Sequence, residues 1–496
     1  MEDIKTTMDL TGFIAKIGLE IHVQLKTKSK MFCSCDNNAE NTAPNTLVCP
    51  VCLGMPGTLP VTNKQAVEMT IKTGLAFGCQ IPLESKFDRK HYFYPDLPKG
   101  FQISQYDKPF CLGGEIEVGG RKIRLNRIHL EEDAGKLTHL SRGRTETSLA
   151  DKNYSLVDLN RAGTPLMEIV TEPDISTPAE ARKFLEESQL SLRYLNVSDA
   201  DMEKGHLRCD ANISVESKVE QMSPIVEIKN LNSHKFVEQA LSFEEKRLID
   251  DFKNWPEKRT KITRGFDAKK GVTFEQRHKE EASDYRYFPE PDIPPITISE
   301  GQISEFKKEI VELPKEKKAR YIMAGVSDDV AEKIVKSPYL VEYLESGENL
   351  QKELAVFISE EVNRAISDHE ISFKEYKNRV PIARVSELLN FVKDGIVSKT
   401  AARKVFVEMV RTGLSATAII KGKGLEQISD TAELLSTVNE VVKENPDLVE
   451  KFKNGKTQVV GFLVGQIMRK TSGKANPQVL NKLLIEKLNG NNYQNN

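Results

Sequence analysis

The sequence predicts an α+β fold, with an N-terminal mixed α/β domain containing antiparallel sheet, an all-α helical domain and an all-α C-terminal tail domain. Up to about residue 296, short alternating runs are punctuated by turn residues, which is typical of antiparallel strands. The segment 288–295 holds four prolines in eight residues, which no helix or central strand tolerates. Beyond it, apolar residues recur at helical spacing. Since 496 residues are too many for one ordinary domain, we expect domains at 1–296, 297–412 and 413–496.

In the first domain, the segment 113–125 alternates apolar and polar residues around paired glycines and predicts a β-hairpin. Thr177 offers an N-cap hydroxyl, Pro178 suits the first helical position and Glu180 suits the third, so a helix should begin there. A second helix should run from about Lys235 to Phe252. Helices therefore interrupt the predicted sheet.

Beyond residue 296, apolar residues spaced on polar backgrounds predict helices at Glu305 to Ala324, Asp329 to Lys336, Leu354 to Ile366 and Val385 to Val397. Gly413 and the turn Gly422-Lys423-Gly424 suggest the second boundary, near residue 412. In the last segment, Gly461 and Gly465 have the Gly-x-x-x-Gly spacing. Because the surrounding apolar run is too short for a membrane helix, this spacing predicts close packing between helices.

Four cysteines form the most specific motif of the chain: Cys33, Cys35, Cys49 and Cys52. A Cys-x-Cys pair is followed, after thirteen further residues, by a Cys-x-x-Cys pair. This spacing suits a tetrahedral Zn²⁺ with four thiolate ligands. The alternative is chance clustering of buried thiols. The other three cysteines (Cys79, Cys111, Cys209) are scattered and are interpreted as core residues.

Just before these cysteines, the strand-like run 17–23 places Glu20 and His22 on one face and apolar residues on the other. On these residues alone, Glu20 and His22 are either part of a metal site or a polar pair on a partly solvent-exposed strand.

Further acids lie on other predicted strands. Glu131 and Glu132 belong to a run of three consecutive acids, Asp210 shares a strand face with Asn212, and Glu227 lies on another alternating run. Such strands can build a carboxylate-rich cup, although an acidic run is also typical of a solvated turn. Oxygen ligands with a single His suit Mg²⁺ or Mn²⁺, which favours phosphoryl transfer. The sequence has no P-loop, dinucleotide-binding, His-Glu-x-x-His or Gly-x-Ser-x-Gly motif.

Two basic regions could meet a polyanion. The segment 87–102 interleaves basic and aromatic residues, which can hold phosphates and stack bases; the alternative is an aromatic-packed loop. From Lys451 to Asn496 there are eight basic residues and one acid, after a stretch from Glu426 to Glu450 with seven acids and one lysine. A tail that binds a polyanion and a solvated helix face both fit this asymmetry.

The composition and the N-terminal sequence restrict the cellular compartment in which we expect the protein. The formal net charge of −2 gives no global attraction to nucleic acid. The first residues, Met1 to Lys5, have no apolar signal core, and no run of eighteen apolar residues could span a membrane. Because the cysteine spacing suits a metal rather than a disulfide framework, we expect a reducing compartment and a cytoplasmic protein without membrane attachment.

Several long segments together closely resemble the B subunits of the aspartyl/glutamyl-tRNA amidotransferases. The matching segments are residues 17–23, 87–105, 129–136, 155–165, 207–214, 284–292 and 461–478. The resemblance covers essentially the whole chain.

The resemblance implies a cradle-like N-terminal domain, a helical domain and a mobile tail that recognises tRNA. It also implies a two-step reaction on misacylated Glu-tRNA(Gln) or Asp-tRNA(Asn), in which ATP phosphorylates the side-chain carboxylate and ammonia then displaces the phosphate. Mg²⁺ would clamp the phosphates. Carried onto this sequence, the expected catalytic and Mg²⁺-binding residues are Glu20, His22, Glu132 and Asp210, with Glu131 and Glu227 as second choices.

The resemblance further implies partners. This chain has no amidase-type glycine/serine run and no glutaminase nucleophile motif, so an amidase (A) subunit would supply ammonia through a channel, in a heterotrimer with a small C subunit. The four cysteines would hold a structural Zn²⁺ away from catalysis. Two alternatives stay open: a non-catalytic zinc-containing tRNA-binding protein or assembly factor, and a metal-dependent nuclease or phosphatase that uses the same cup.

Overall fold

The computed structural model describes residues 12–140, 154–276, 285–347, 352–425, 431–471 and 475–489. The predictions for Met1 to Lys5 and for Asp284 lie outside these ranges. The chain divides into two compact units, Met1–Pro314 and Lys315–Asn496, and the predicted boundaries near residues 296 and 412 stay predictions. Strands with helices in the first unit and helices in the second confirm the predicted α+β class.

Within the described residues, the first unit is built on a nine-stranded mixed sheet in which only β12 and β13 pair in parallel. The strand order is β14-β13-β12-β11-β1-β10-β7-β5, with β6 paired to β7. The strands of this sheet are β1 (Phe13–Gln24), β5 (Cys111–Leu112), β6 (Glu115–Val118), β7 (Arg121–Glu132), β10 (Pro165–Thr171), β11 (Leu207–Ser217), β12 (Ile225–Leu231), β13 (Lys261–Asp267) and β14 (Val272–Glu275). The predicted hairpin at 113–125 is confirmed as the antiparallel pair β6 and β7.

Smaller strands and four helices complete this unit. The strands are β2 (Glu84–Ser85), β3 (Asp88–His91), β4 (Phe101–Ser104), β8 (Lys136–Leu140), β9 (Tyr154–Asp158), β15 (Phe288–Pro289) and β16 (Ile296–Thr297). The helices are α1 (Lys64–Ala76), α2 (Pro178–Tyr194), α3 (His234–Asp250) and α4 (Glu300–Lys308), with a 3₁₀ turn at Phe252–Asn254.

The alternation of β1 gives the sheet one apolar face and one polar face. Leu19, Ile21 and Val23 are buried in the core of this unit, which also contains apolar residues of α2 and α3. Helix α2 begins as predicted, because the Thr177 side chain accepts a hydrogen bond from the backbone N–H of Glu180. The polar residues of β1 therefore point to the side of the sheet that these helices leave uncovered.

The second unit is helical in its described residues. Its helices are α5 (Pro314–Met323), α6 (Asp328–Val335), α7 (Pro338–Glu345), α8 (Lys352–Asp368), α9 (Phe373–Arg379), α10 (Ile382–Lys393), α11 (Lys399–Thr412), α12 (Ala416–Lys423), α13 (Thr431–Glu444), α14 (Pro446–Lys453), α15 (Val459–Lys470) and α16 (Pro477–Leu488). Gly413 ends α11 with a φ of 71°, a left-handed conformation that favours glycine.

Two helix predictions are wrong in this part of the chain. The predicted helix from Glu305 to Ala324 is two helices, α4 and α5, because Pro314 fits the start of a helix and not its interior. Gly461 and Gly465 do not lie at a helix contact with any residue that the structure describes, because a Cβ added at either position would meet none of their atoms within 4 Å. Among the described residues, no helix has the length and apolar character needed to cross a membrane.

Candidate functional site

The polar face of the sheet gathers ionisable side chains because β1 lies between β10 and β11. In the antiparallel register, His22 is opposite Glu168 on β10 and Arg208 on β11. Glu20, two residues earlier, is opposite Val170 and Asp210. Since directly opposed residues project from the same face, the register places two of the predicted acids beside each other, Glu20 and Asp210.

A metal-competent cluster forms at one end of this face from His22, Glu131 and Glu168. One nitrogen or oxygen atom from each residue lies within 4.8 Å of the other two. The Nε2 atom of His22 is 3.6 Å from Glu131 Oε1 and 3.6 Å from Glu168 Oε2. Both carboxylates are buried, whereas His22 is partly exposed, so the cluster has one opening toward solvent.

Charged neighbours keep the Glu168 carboxylate of the cluster ionised. Burial alone would raise the pKa of Glu168, but the rings of His129 and His22 outweigh this effect and hold that pKa well below its usual range. His129 Nε2 lies 3.1 Å from Glu168 Oε2. Burial alone would lower the pKa of Lys90, yet the Glu131 carboxylate and its neighbours raise it. One imidazole and two carboxylates form a donor set that fits Mg²⁺ or Mn²⁺.

Glu20, Asp210 and Glu227 lie on the same face next to this cluster. Burial, Glu168 and Glu227 raise the pKa of Glu20, whose Oε1 accepts a hydrogen bond from Asn212 Nδ2 at 3.0 Å. The Lys229 ammonium lies 3.7 Å from Asp210 and 3.3 Å from Glu227. These predicted residues thus lie on the same sheet face as the cluster, to one side of it, and Lys229 forms ion pairs with two of them.

The three consecutive acids at the end of β7 have three different surroundings. Glu131 faces His22, as described above. Glu132 points to the opposite face, where it forms an ion pair with Lys99 and accepts a hydrogen bond from the backbone N–H of Ile103 at 3.0 Å. Asp133 accepts hydrogen bonds from Arg208 Nη2 at 2.5 Å and Gln24 Nε2 at 2.9 Å.

The structure therefore corrects the predicted grouping of Glu132 with Glu20, His22 and Asp210. Neighbouring residues of a strand project to opposite faces, so only one of Glu131 and Glu132 can face His22. The register places Glu131, the second choice, in the cluster. The role of each acid in catalysis stays a prediction.

Sequence reasoning missed Glu168 and His129. Glu168 is the one charged residue in the run Pro165-Leu166-Met167-Glu168-Ile169-Val170. An isolated acid inside a buried strand needs a partner of opposite charge or a hydrogen-bond donor. The position of Glu168 in an apolar run was therefore a signal available in the sequence. His129 precedes Glu131 by two residues, so strand alternation puts both on the same face.

The four cysteines form a second metal-competent cluster. Their sulfur atoms lie within 4.8 Å of one another, which confirms that they can bind a metal ion together. Hydrogen bonding from Cys33 lowers the pKa of Cys52 to about 5, against the effect of burial. The buried Lys30 ammonium lies 3.9 Å from Cys52 Sγ and also donates to the Leu47 carbonyl at 2.7 Å. A site with four thiols and a nearby cation suits Zn²⁺.

Comparison with known proteins identifies the family. Residues 15–304 match the model described as the GatB/GatE catalytic domain, and residues 338–488 match the one described as the GatB domain. A protein of Thermotoga maritima is 45% identical over 483 residues, covering 96% of this chain and 98% of the relative. One of Thermodesulfovibrio yellowstonii is 47% identical over 481 residues, covering 95% and 98%. Both are named as the B subunit of an aspartyl/glutamyl-tRNA(Asn/Gln) amidotransferase. The chain belongs to this amidotransferase B-subunit family.

Membership confirms the predicted family and enzyme class, that of the B subunit of an aminoacyl-tRNA amidotransferase. The first family match spans the sheet, the acidic cluster and the cysteine cluster, so both metal-competent sites belong to the part described as catalytic.

The basic and aromatic segment 87–102 carries less free positive charge than its sequence indicates. Arg89 forms two hydrogen bonds with the Glu290 carboxylate, at 2.7 and 2.8 Å. Lys90 faces Glu131, and Lys99 pairs with Glu132. Each cation thus has an acid of its own, which favours a structural interpretation of these cations over phosphate binding.

A cavity of about 240 Å³ lies on the side of the sheet where Glu132 points. Its lining includes Cys33, Cys52, Arg89, Lys99 and Glu132. The cysteine cluster therefore lies next to the Lys99–Glu132 ion pair and on the other side of β7 from the His22 cluster.

Proposed function

We propose that this chain converts the side-chain carboxylate of Glu-tRNA(Gln) or Asp-tRNA(Asn) into an amide in two steps. In the first, a carboxylate oxygen attacks the γ-phosphorus of ATP, and ADP leaves. In the second, ammonia attacks the acyl carbon, inorganic phosphate leaves and the nitrogen loses a proton. Activation is needed because a carboxylate is a poor acceptor for ammonia until one oxygen becomes a good leaving group.

The observation that carries this proposal is the cluster of His22, Glu131 and Glu168 on the polar face of the sheet, where His22 is partly exposed. Two carboxylates and one imidazole would hold Mg²⁺ there, and the ion would supply neutralisation of the ATP phosphates. Glu20 and Asp210 lie on the same face, where they can orient the acyl group or water around the ion. Burial, Glu168 and Glu227 raise the pKa of Glu20, which makes this carboxylate a stronger base than an ordinary glutamate.

The family name supports a multi-subunit assembly, since the relatives are named as B subunits. We propose that an amidase (A) subunit hydrolyses glutamine and passes ammonia to the polar face, and that a small C subunit completes the complex. This division of labour explains why the sequence has a phosphoryl-transfer site without an amidase nucleophile motif.

For the C-terminal helices we propose binding to tRNA. The basic excess after Lys451 supports this role, although part of it is neutralised: Lys470 Nζ lies 3.1 Å from Glu440 and 2.7 Å from Glu444. The remaining exposed lysines would contact phosphates, so affinity should fall with salt. Deleting residues 451–496 should weaken tRNA binding and flatten its salt dependence; unaltered affinity would contradict this role.

The test of the function is reconstitution. The purified chain and its amidase partner are given Glu-tRNA(Gln), ATP, Mg²⁺ and glutamine. The amino acid is then released from the recovered tRNA with mild base, which leaves the amide intact, and glutamine is separated from glutamate by chromatography. We expect product that requires ATP, and we expect ammonium chloride to replace glutamine. Absence of product with an active amidase partner would refute the function, and cleavage of the RNA would favour the nuclease alternative.

A further inference from the structure

A row of three ionisable side chains crosses the centre of the sheet. In the antiparallel register, Glu168 on β10 is directly opposite His22 on β1 and directly opposite His129 on β7. Directly opposed residues project from the same face, so this acid lies between two histidines. Glu131, two residues after His129 on β7, belongs to the same face. The metal-competent cluster thus has a second imidazole beside it, which the proposed function does not use.

The two histidines differ in exposure and in contacts. The side chain of His22 is 23% exposed, and its Nε2 atom lies 3.6 Å from one oxygen of each carboxylate. The side chain of His129 is 3% exposed, and its Nε2 atom lies 3.1 Å from Glu168 Oε2 but 4.0 Å from Glu131 Oε2. The position of His22 therefore suits a ligand that shares an ion with both carboxylates, whereas His129 lies against one carboxylate, away from solvent.

A contact on the other nitrogen of His129 determines where the ring carries its hydrogen. The Nε–H group of Arg127 donates to His129 Nδ1 at 3.4 Å. Because an arginine can only donate, Nδ1 is the acceptor and the ring hydrogen lies on Nε2, next to Glu168. A ring nitrogen that carries hydrogen has no lone pair for a metal ion. This separates the role of His129 from that of His22.

Glu168 needs a donor because of where it lies. It is buried in a strand of otherwise apolar residues. Among the residues that the structure describes, His22 and His129 are the two groups at ion-pair distance from its carboxylate. An imidazole that binds an ion through Nε2 has no hydrogen there to donate, so His129 is the one of the two that can still donate to Glu168. A carboxylate ligand that is held by such a donor keeps one orientation.

We propose that His129 is a positioning residue for the metal site: its Nε2–H group holds Glu168 Oε2 in the orientation that binds the ion, and Arg127 keeps the hydrogen on that nitrogen. This inference rests on the proposed function, because it assumes that the cluster holds Mg²⁺. It extends the site by two residues that do not touch the ion, and it assigns different roles to the two histidines of the row.

The test measures metal binding directly, with Mn²⁺ as the probe. The full chain in complex with its amidase partner is titrated with Mn²⁺ in the absence of ATP, and free Mn²⁺ is measured by electron paramagnetic resonance. His129→Leu should raise the Kd for Mn²⁺ by about ten- to a hundredfold, because the residue that orients a metal ligand is lost. His206→Leu is the matched control, since His206 also contacts an acid, Glu40 at 3.3 Å, outside the cluster; the Kd should change less than about twofold.

Two amide variants separate the donor from the shape of the ring. The amide nitrogen of a glutamine can take the place of Nε2, whereas that of an asparagine reaches only the position of Nδ1. His129→Gln should therefore bind Mn²⁺ within about threefold of the wild type, and His129→Asn should bind it about tenfold or more weakly. This pair replaces His129→Leu if the melting temperature shows that the leucine variant does not fold. An unchanged Kd in a folded His129→Leu, or equal Kd values for the two amide variants, would overturn the inference.

The spectrum of bound Mn²⁺ distinguishes a positioning residue from a ligand. Electron spin echo modulation reports nitrogen atoms that coordinate Mn²⁺. The modulation should be the same in the wild type and in His129→Gln, because the coordinating nitrogen belongs to His22. A modulation that is reduced or lost in His129→Gln would make His129 a ligand of the ion and would overturn the positioning role.

Metal binding is measured apart from product formation. A complex that makes no Gln-tRNA, yet binds Mn²⁺ with the expected dependence on His129, would refute the proposed function and support the positioning role. A complex that makes Gln-tRNA, with an unchanged Kd for Mn²⁺ in His129→Leu, would do the reverse.

Discussion

The two metal-competent clusters of the N-terminal unit are built in opposite ways. The cysteine cluster takes all its ligands from one short segment, 33–52, so its geometry depends on loop conformation. The cluster of His22, Glu131 and Glu168 takes one ligand from each of three neighbouring strands that are distant in the chain. A local cluster of thiols is suited to stabilising loops, whereas a cluster of buried carboxylates that reaches solvent through His22 is suited to meeting a substrate. The motif that is most conspicuous in the sequence is thus the one whose expected role is structural.

The largest expected effect tests whether the strand cluster is the reactive one. Glu168→Gln should reduce the rate of Gln-tRNA formation by about 10²–10³-fold, because a buried ionised ligand is replaced by a neutral amide. The rate is measured with ammonium chloride as nitrogen donor, so that the amidase step does not contribute.

The control for this variant is Glu172→Gln, which alters a nearby acid that bonds to Asn126 outside the cluster. We expect it to react like the wild type. Full activity of Glu168→Gln would show that the strand cluster has no part in the chemistry, and the contrast between the two clusters would collapse.

The next effect separates the two adjacent glutamates. Glu131→Gln should raise the Mg²⁺ concentration for half-maximal transamidation by about tenfold or more, because one cation ligand is lost. Glu132→Gln should leave this concentration unchanged, since its carboxylate lies on the other face with Lys99. Magnesium titrations of both variants provide the measurement, and the opposite order would restore Glu132 to the predicted metal site.

A third prediction concerns the cysteine cluster itself. Cys52→Ser should lower the bound zinc from about one ion per chain to nearly none, and the chain should unfold at a lower temperature, since structural zinc contributes folding energy. Below that temperature, transamidation should fall only about threefold, in contrast to Glu168→Gln. Elemental analysis and calorimetry test this. A rate loss as large as that of Glu168→Gln, with the protein still folded, would make the cysteine cluster part of the chemistry.

Replacement of Asp133, the third of the consecutive acids 131–133, is expected to have the smallest effect on the reaction, and its main effect should be on the stability of the fold. Burial alone would raise the pKa of Asp133, but Arg208 and Arg161 hold it below its usual range. The ion pair therefore stabilises the fold fully above the ordinary aspartate pKa, and this contribution is lost as pH falls through the lowered value. Asp133→Asn should lower the free energy of unfolding by roughly 2 kcal/mol near neutral pH. The loss is smaller than for breaking a fully buried ion pair, because Arg208 is partly exposed.

Urea unfolding at a series of pH values measures this cost. The difference in unfolding free energy between wild type and Asp133→Asn should shrink as the pH falls below about 4. A difference that stays constant across this range would mean that the Asp133 carboxylate is not held by the two arginines.

Sequence reasoning succeeded where the decisive interactions are local. The N-cap of α2 at Thr177, the hairpin of β6 and β7, and the four cysteines each depend on residues close together in the chain. Glu20 and His22 were placed on one face by strand alternation alone, which needs no knowledge of the neighbouring strands.

Sequence reasoning failed where strand register decides. Choosing between Glu131 and Glu132 requires knowing which of them points to the face of the sheet that carries His22. Hydrophobic pattern does not reveal this at the end of a strand where Leu130, Glu131 and Glu132 are all buried. The Gly461 and Gly465 spacing misled for a related reason, because a spacing within one helix does not tell which face of that helix is covered.

The position of β1 at the centre of the sheet also limits how the gene can vary. An insertion or deletion of one codon between residues 13 and 20 would rotate every later side chain of the strand to the opposite face. It would bury His22 and expose Ile21 at the same time. Amino-acid exchanges on this strand can therefore accumulate one at a time, whereas changes in its length cannot, and a library of single-codon indels should contain no active member across this interval.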